Sequence, residues 1–243
     1  DRIKIIPYED EEVAMASFEV GRRDIVINPP KSQLSRLNSE GRLITLKSNK
    51  AMYLAFNPKS DTLEVEGRRE IYKLINKALD EYVINNSIYI ELAEGSYFRD
   101  DKEDLAKLQT RKVMSTEASE WTKPQMVHMI VEENTENKEI CDYLASWFKN
   151  NAEINLVYDL ISKEELNSID KENYYDFILI KGDLNFSNEE SIYNSLINFL
   201  EVDKKEKLLQ AKTEGDMLSI FIDIEEDLFN NYTVLPLIFY NDN

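Results

Sequence analysis

Residues 51–76 read AMYLAFNPKSDTLEVEGRREIYKLIN, and the fold turns on how this stretch is divided. Met52 to Phe56 is a short apolar run of strand type, stopped by Asn57-Pro58, because proline has no amide to give to a sheet ladder. A polar turn follows. A helix then opens near Arg68-Arg69 and is expected from about Gly67 to Asn85. Ile71, Leu74, Ile75, Ala78, Leu79 and Tyr82 recur at three- and four-residue steps, which lays one apolar stripe against a core.

Working outward, Asp1 to Pro7 alternates polar and apolar residues and reads as a strand. Glu11 to Val20 reads as a helix ended by Gly21 in the left-handed conformation. Arg23 to Asn28 reads as a strand stopped by Pro29-Pro30, Gln33 to Asn38 as a helix and Arg42 to Lys47 as a strand. The charged region from Ser87 to Pro124 is weakly patterned, with a short helix expected over 101–107. Beyond it, strands and helices alternate. Met126 to Val131 is a continuous apolar run of the kind buried parallel strands show. Lys138 to Asn150 is amphipathic, and Ile154 to Leu160 is a strand. Ser162 and Glu165 have capping-box spacing. Tyr175 to Ile180 is a further strand. Helices are expected after Ser187, near 204–212 and over 216–229, before a last strand from Thr233 to Tyr240. This alternation argues for a parallel α/β layer, since parallel strands need a covering crossover.

Composition narrows the function classes. The chain has 243 residues, 31% of them charged and 42% hydrophobic, with a formal net charge of -18. Duplex nucleic acid is disfavoured, because phosphate binding needs a Lys/Arg face and the basic residues here are interleaved with acids. The acidity reads as a solvated surface, or as a preference for cationic ligands. No apolar run is long enough for a membrane span. Cys141 is the single cysteine, so no intrachain disulfide forms. His128 is the single histidine and lies in an apolar strand; it reads as a packed or partly exposed strand residue rather than a general base, which needs an oriented partner in a cleft. One His and one Cys exclude the usual zinc ligand set. The acidic runs 9–12, 100–101 and 225–227 mostly lack calcium-loop spacing and read as solvated faces. No glycine-rich phosphate loop is present. Neither a catalytic residue nor a metal site nor a cofactor is assigned.

The segment around YLAFN, its proline turn and the helix with Arg68 resemble the crossover segment of the family 5 extracellular solute-binding proteins, the peptide-binding components of ABC importers. The helix followed by Gly21 and Asp24 is similar to a first-lobe pattern of that family. MVHMIVEENTENKEICDYLASWFKNNAEINLVYDL, YYDFILIKGD and IEEDLFNNYTVLPLIFY resemble its later segments, in the same order. The chain departs from the family in being short, in Glu70, Leu74 and Asn76 after the crossover, and in Lys181-Gly182-Asp183 where a tryptophan is usual.

The resemblance implies an α/β, periplasmic-binding-protein-like type 2 fold, two lobes joined by a hinge, with the first lobe incomplete. Residues 1–57 would be part of lobe I, 58–231 lobe II, and 232–243 a strand returning to lobe I. It implies non-catalytic binding of a peptide or similar small solute for an ABC permease. The implied location is extracellular, lipid-anchored at the cell surface by a signal not present in these residues, with the membrane touched only through that anchor; cytoplasmic placement is the alternative. Asp183 is the positional candidate for pairing a ligand's amino terminus, or else a loop aspartate capping a turn. Tyr53 and Asn57 either face the cleft or pack a hinge. Tyr97 and Trp121 serve as platforms if 87–124 folds over the opening. Two other readings are a ligand-sensing domain of a transcription regulator and a degenerate module that binds a protein partner.

Overall fold

The computed structural model describes residues 2–97, 113–115, 121–169, 175–183 and 227–243, with the single positions 206, 210, 220 and 223. The expected helices over 101–107, after Ser187 and near 204–212 fall wholly or largely outside them. Of the expected helix over 216–229, the described last turn, 227–230, is helical.

The centre is β1, Leu46–Phe56, longer than the five apolar residues alone suggest. Ala51 to Phe56 are all buried, so both faces of the strand are covered. It runs antiparallel between β5 (Phe177–Asp183) and β6 (Val234–Asp242). β2 (Ile90–Leu92) pairs with the outer side of β6. β3 (Met126–Glu132) is parallel to β5 on one side and to β4 (Asn155–Ile161) on the other. The six-stranded order is β2-β6-β1-β5-β3-β4. The expected parallel layer is therefore β5-β3-β4, and β1 inserts antiparallel to it. A hydrophobic strand buried on both faces reads the same in either direction, so the sequence could not show this.

Two helices supply much of the main core: α3 (Val65–Ile84) and α4 (Thr135–Trp147), the latter running on through a π-helical turn, Phe148–Ala152. Their stripes (Ile71, Tyr72, Ile75 and Leu79; Ile140, Cys141, Leu144 and Phe148) join Phe177 and Leu179 in one buried cluster. The alternate residue Ile178 belongs to a second cluster with Ile130 and Tyr175, against which Leu166 of α5 (Lys163–Asn167) packs. Period-two alternation in β5 thus feeds both faces. Ser162 and Glu165 cap α5 reciprocally, as their spacing predicts.

Residues 2–45 carry α1 (Glu11–Glu19) and α2 (Lys31–Ser39). Asp10 caps α1 by accepting from the amides of Glu12 and Val13. Gly21 and Gly41 follow the two helices at φ 72° and 67°. In both cases the glycine and the next residue donate back into the last turn, closing a Schellman motif that a Cβ would strain. Arg36 and Arg42 bridge Glu19 and Glu40 and tie the two helix ends together. The hydrogen bond from Arg36 is the largest cause holding the Glu19 carboxyl below its ordinary value.

The strands expected over 1–7 and 23–28 are corrected: among the described residues neither segment forms one. A strand needs a neighbour to take up its amides and carbonyls. Here the links are isolated, such as Asn28 N–H donating to the Asn243 carbonyl.

The Asn57-Pro58 junction, where a passage between bodies is expected, is a closely bonded turn. That junction lies at the far end of β1 from residues 2–45, roughly 30 Å along an eleven-residue strand. Asn57 is 3% exposed. Its side-chain amide donates to the Tyr175 carbonyl, its Oδ1 accepts from Lys59 N–H and its own N–H donates to the Asp176 carbonyl. At the other end of β1, Leu46 pairs with Asp242 of β6. The β1–β6 register slips between Lys47 and Ala51, a bulge near this end of the strand.

Candidate functional site

In open α/β sheets ligands bind beyond the carboxyl ends of the parallel strands. In this chain that edge is formed by Glu132, Ile161 and Asp183, the last residues of β3, β4 and β5. It lies at the same end of the sheet as the Leu46–Asp242 pairing. Glu133 N–H donates to the Ile161 carbonyl and closes the rim between β3 and β4. Asn134 then caps α4, its Oδ1 accepting from Asn137 N–H at 2.8 Å. The amino end of α4 therefore opens onto the rim.

Polar side chains seal the core just below this edge. Lys181 of β5 pairs with Glu136 of α4 at 2.8 Å and sits 4.1 Å above the Tyr240 ring. Lys31 of α2 pairs with Glu139 of α4 and lies 4.5 Å above the Tyr89 ring. Tyr89 donates to Asn86 Oδ1 at 2.9 Å. Burial is the first cause holding the Tyr89 and Tyr240 phenols above their ordinary value, so both stay neutral. The arrangement has ion pairs, neutral phenols and acids at the rim. It can bind a polar or cationic group.

The predicted ligand residues are not brought together. Asp183 alone stands at the carboxyl edge, in register with Lys50. Tyr53 is fully buried in mid-strand, stacked on Tyr97 at 6.3 Å. Tyr97 is equally buried and donates its hydroxyl to the Val234 carbonyl. Asn57 is locked at the opposite end, as described above. Trp121 lies by the amino end of α3, lining a cavity of about 810 Å³ with Asp61, Glu64, Glu66 and Met126, the first residue of β3. That too is the end away from the rim. Packing and hydrogen bonding take up the surfaces of Tyr53, Asn57 and Tyr97, and Trp121 stands at the opposite end of the sheet from Asp183. Sequence reasoning missed Lys181, Glu136, Lys31 and Tyr240. A lysine breaking an apolar strand, as in FILIKGD, was the available signal.

The Tyr53 hydroxyl has no hydrogen-bond partner among the described residues. Tyr53→Phe is expected to raise the unfolding free energy by about 1 to 3 kcal/mol, the cost of an unsatisfied buried group. Urea denaturation checks this, and a loss of stability would mean the hydroxyl is satisfied in solution.

His128 Nε2 lies 2.8 Å from Asp159 Oδ2 on the neighbouring strand. Cys141 is buried, and that burial pushes its thiol up to about 12, so it is an unreactive core residue. No metal-holding group of acids, His and Cys occurs among the described residues, and no helix among them is long and apolar enough to cross a membrane.

This α/β layer with an open carboxyl edge is the architecture of periplasmic-binding-protein-like lobes. No family model and no curated protein matches the sequence. Solved structures do. NikA from Brucella suis, in complex with Fe(III)-EDTA, superposes with a TM-score of 0.70 at 12% identity, over 97% of this chain and 55% of that one. The murein tripeptide binding protein MppA of Escherichia coli gives 0.59 at 16% identity, over 94% and 50%. OppA of Haemophilus influenzae, in complex with RPPGFSPFR, gives 0.57 at 17%, over 96% and 52%. These are family 5 solute-binding proteins, and the chain has their fold over about half of their length.

Proposed function

We propose that this chain is part of a non-catalytic solute-binding protein that takes a peptide or similar small solute at the carboxyl edge of β3, β4 and β5. Delivery to an ABC permease and a cell-surface, lipid-anchored location belong to the same reading. One observation carries it: the open carboxyl edge lies beside the Leu46–Asp242 pairing, where the chain passes to and from residues 2–45. In this reading the cleft between two bodies forms at that place. The β1 bulge and the end of β6 are the hinge, and a ligand that touches both bodies stabilises the shut state.

Asp183 pairs the ligand's amino terminus in this reading, since an ammonium taken out of water needs a carboxylate. The test is calorimetry of the natural full-length protein with a lysine-containing tripeptide and with its N-acetylated form. The free tripeptide is expected to bind. Asp183→Asn and N-acetylation should each weaken binding about tenfold, some 1.4 kcal/mol, and together no more than either alone. Absence of binding heat overturns the solute reading, and an unaltered affinity in Asp183→Asn overturns the role of that residue.

A further inference from the structure

Lys31 stands at the first helical position of α2, which has no side-chain cap. A cation there opposes the helix dipole, so the lysine works against its own helix. What it gains lies across the molecule. Its ammonium pairs with Glu139, in the second turn of α4, and lies 4.5 Å above the Tyr89 ring. Both sides of this contact are held in place. Pro29-Pro30 restricts the backbone just before Lys31, and Pro30 is buried. Asn28 N–H donates to the Asn243 carbonyl. Tyr89 is tied at both ends, its hydroxyl to Asn86 Oδ1 and its carbonyl to Asn241 N–H in β6. Three residues before Glu139, Glu136 takes Lys181 in the same way over the Tyr240 ring. That second pair joins β5 to α4. Among the described residues, Lys31–Glu139 is the one ion pair that joins residues 2–45 to the rest.

We propose that Lys31, Glu139 and Tyr89 form a latch that favours the shut arrangement of the two bodies before any solute binds. The inference rests on the hinge at the β1 bulge proposed above, and adds what sets its resting position. The Lys31 and Glu139 side chains are 44% and 49% exposed. Such a pair contributes little to the stability of a fold. A hinge is more sensitive, because a contact made in one state and broken in the other acts directly on the ratio of two neighbouring states. Opening parts Lys31 from the carboxylate and from the ring together. An exposed ion pair with a ring contact shifts a ratio of this kind about threefold to tenfold.

The test is a distance measurement by double electron–electron resonance on the natural full-length protein without solute. Nitroxide labels go on cysteines that replace Ser35 of α2 and Lys149 at the end of α4, both exposed. Cys141 is buried and stays unlabelled. Two distances are expected. Lys31→Ala and Glu139→Ala should each lower the ratio of shut to open about threefold to tenfold, and the double variant no more than Lys31→Ala alone. Lys138→Ala, which breaks an exposed pair with Asp142 inside α4, should leave the ratio where it is. Raising salt from about 0.05 M to about 0.5 M should lower the ratio in the natural protein and much less in Lys31→Ala. Two distances whose ratio ignores Lys31→Ala overturn the latch and leave the hinge standing. Additive losses in the double variant overturn the pairing of Lys31 with Glu139. One distance in every variant overturns hinge and latch together. No solute enters these readouts, so failure of the binding reading stays separate.

Discussion

Phe177→Ala is expected to lower the unfolding free energy by about 3 to 5 kcal/mol, the range for emptying a buried aromatic site. Phe177 is fully buried and stands where the two halves of the sheet meet. It is in register with Phe56 of antiparallel β1 on one side and with Met129 of parallel β3 on the other. Its ring meets Phe56 edge to face, with centroids 5.7 Å apart. The cavity cannot collapse readily, because both neighbours are strands held by ladder bonds. Chemical denaturation gives the number. A loss under 1 kcal/mol would mean that the sheet does not close around this position. Phe177→Leu should recover more than half of the loss, because it restores most of the volume.

What the sequence could and could not reveal follows from where partners come from. The capping box of Ser162 and Glu165, the left-handed Gly21 and the stripe of α3 are local, and their chemistry is complete within a few residues. All of them occur as read. The run from Ala51 to Phe56 was legible as a strand, but not its direction or its depth. Continuous apolar residues imply burial on both faces, and this removes Tyr53 from any cleft. The segments 1–7 and 23–28 have the alternation of strands but join no sheet among the described residues. Sequence reports that propensity but not the absent neighbour. Asn57-Pro58 misled for a related reason. The dipeptide marks the end of a strand whether the chain then crosses to another body or turns within the same one. The candidate rim was the least legible part, because Glu136 and Lys181, and Lys31 and Glu139, meet only through tertiary packing.

Asp176→Ala separates the two readings of the Asn57-Pro58 junction most directly. Asp176 is a buried carboxylate at the amino end of β5. Its Oδ2 accepts from His128 N–H at 2.7 Å, and its Oδ1 accepts from the Ser60 hydroxyl in the turn after Pro58. Its backbone exchanges further bonds with the His128 carbonyl and with Asn57 N–H. One side chain therefore ties β3, β5 and the turn into a single knot. Removing it strands two part-buried donors, each at the lower end of the about 1 to 3 kcal/mol that a lost partner costs. The expected loss is about 2 to 4 kcal/mol in urea denaturation, with Asp176→Asn losing less because its amide oxygen still accepts one of the bonds. Solute affinity of the folded molecules should not move, because the knot lies at the end of the sheet away from the rim. If the junction were instead a hinge, Asp176→Ala would shift the balance between open and shut forms and change affinity at nearly constant stability. Denaturation and calorimetry on one variant therefore decide between a structural lock and a moving joint.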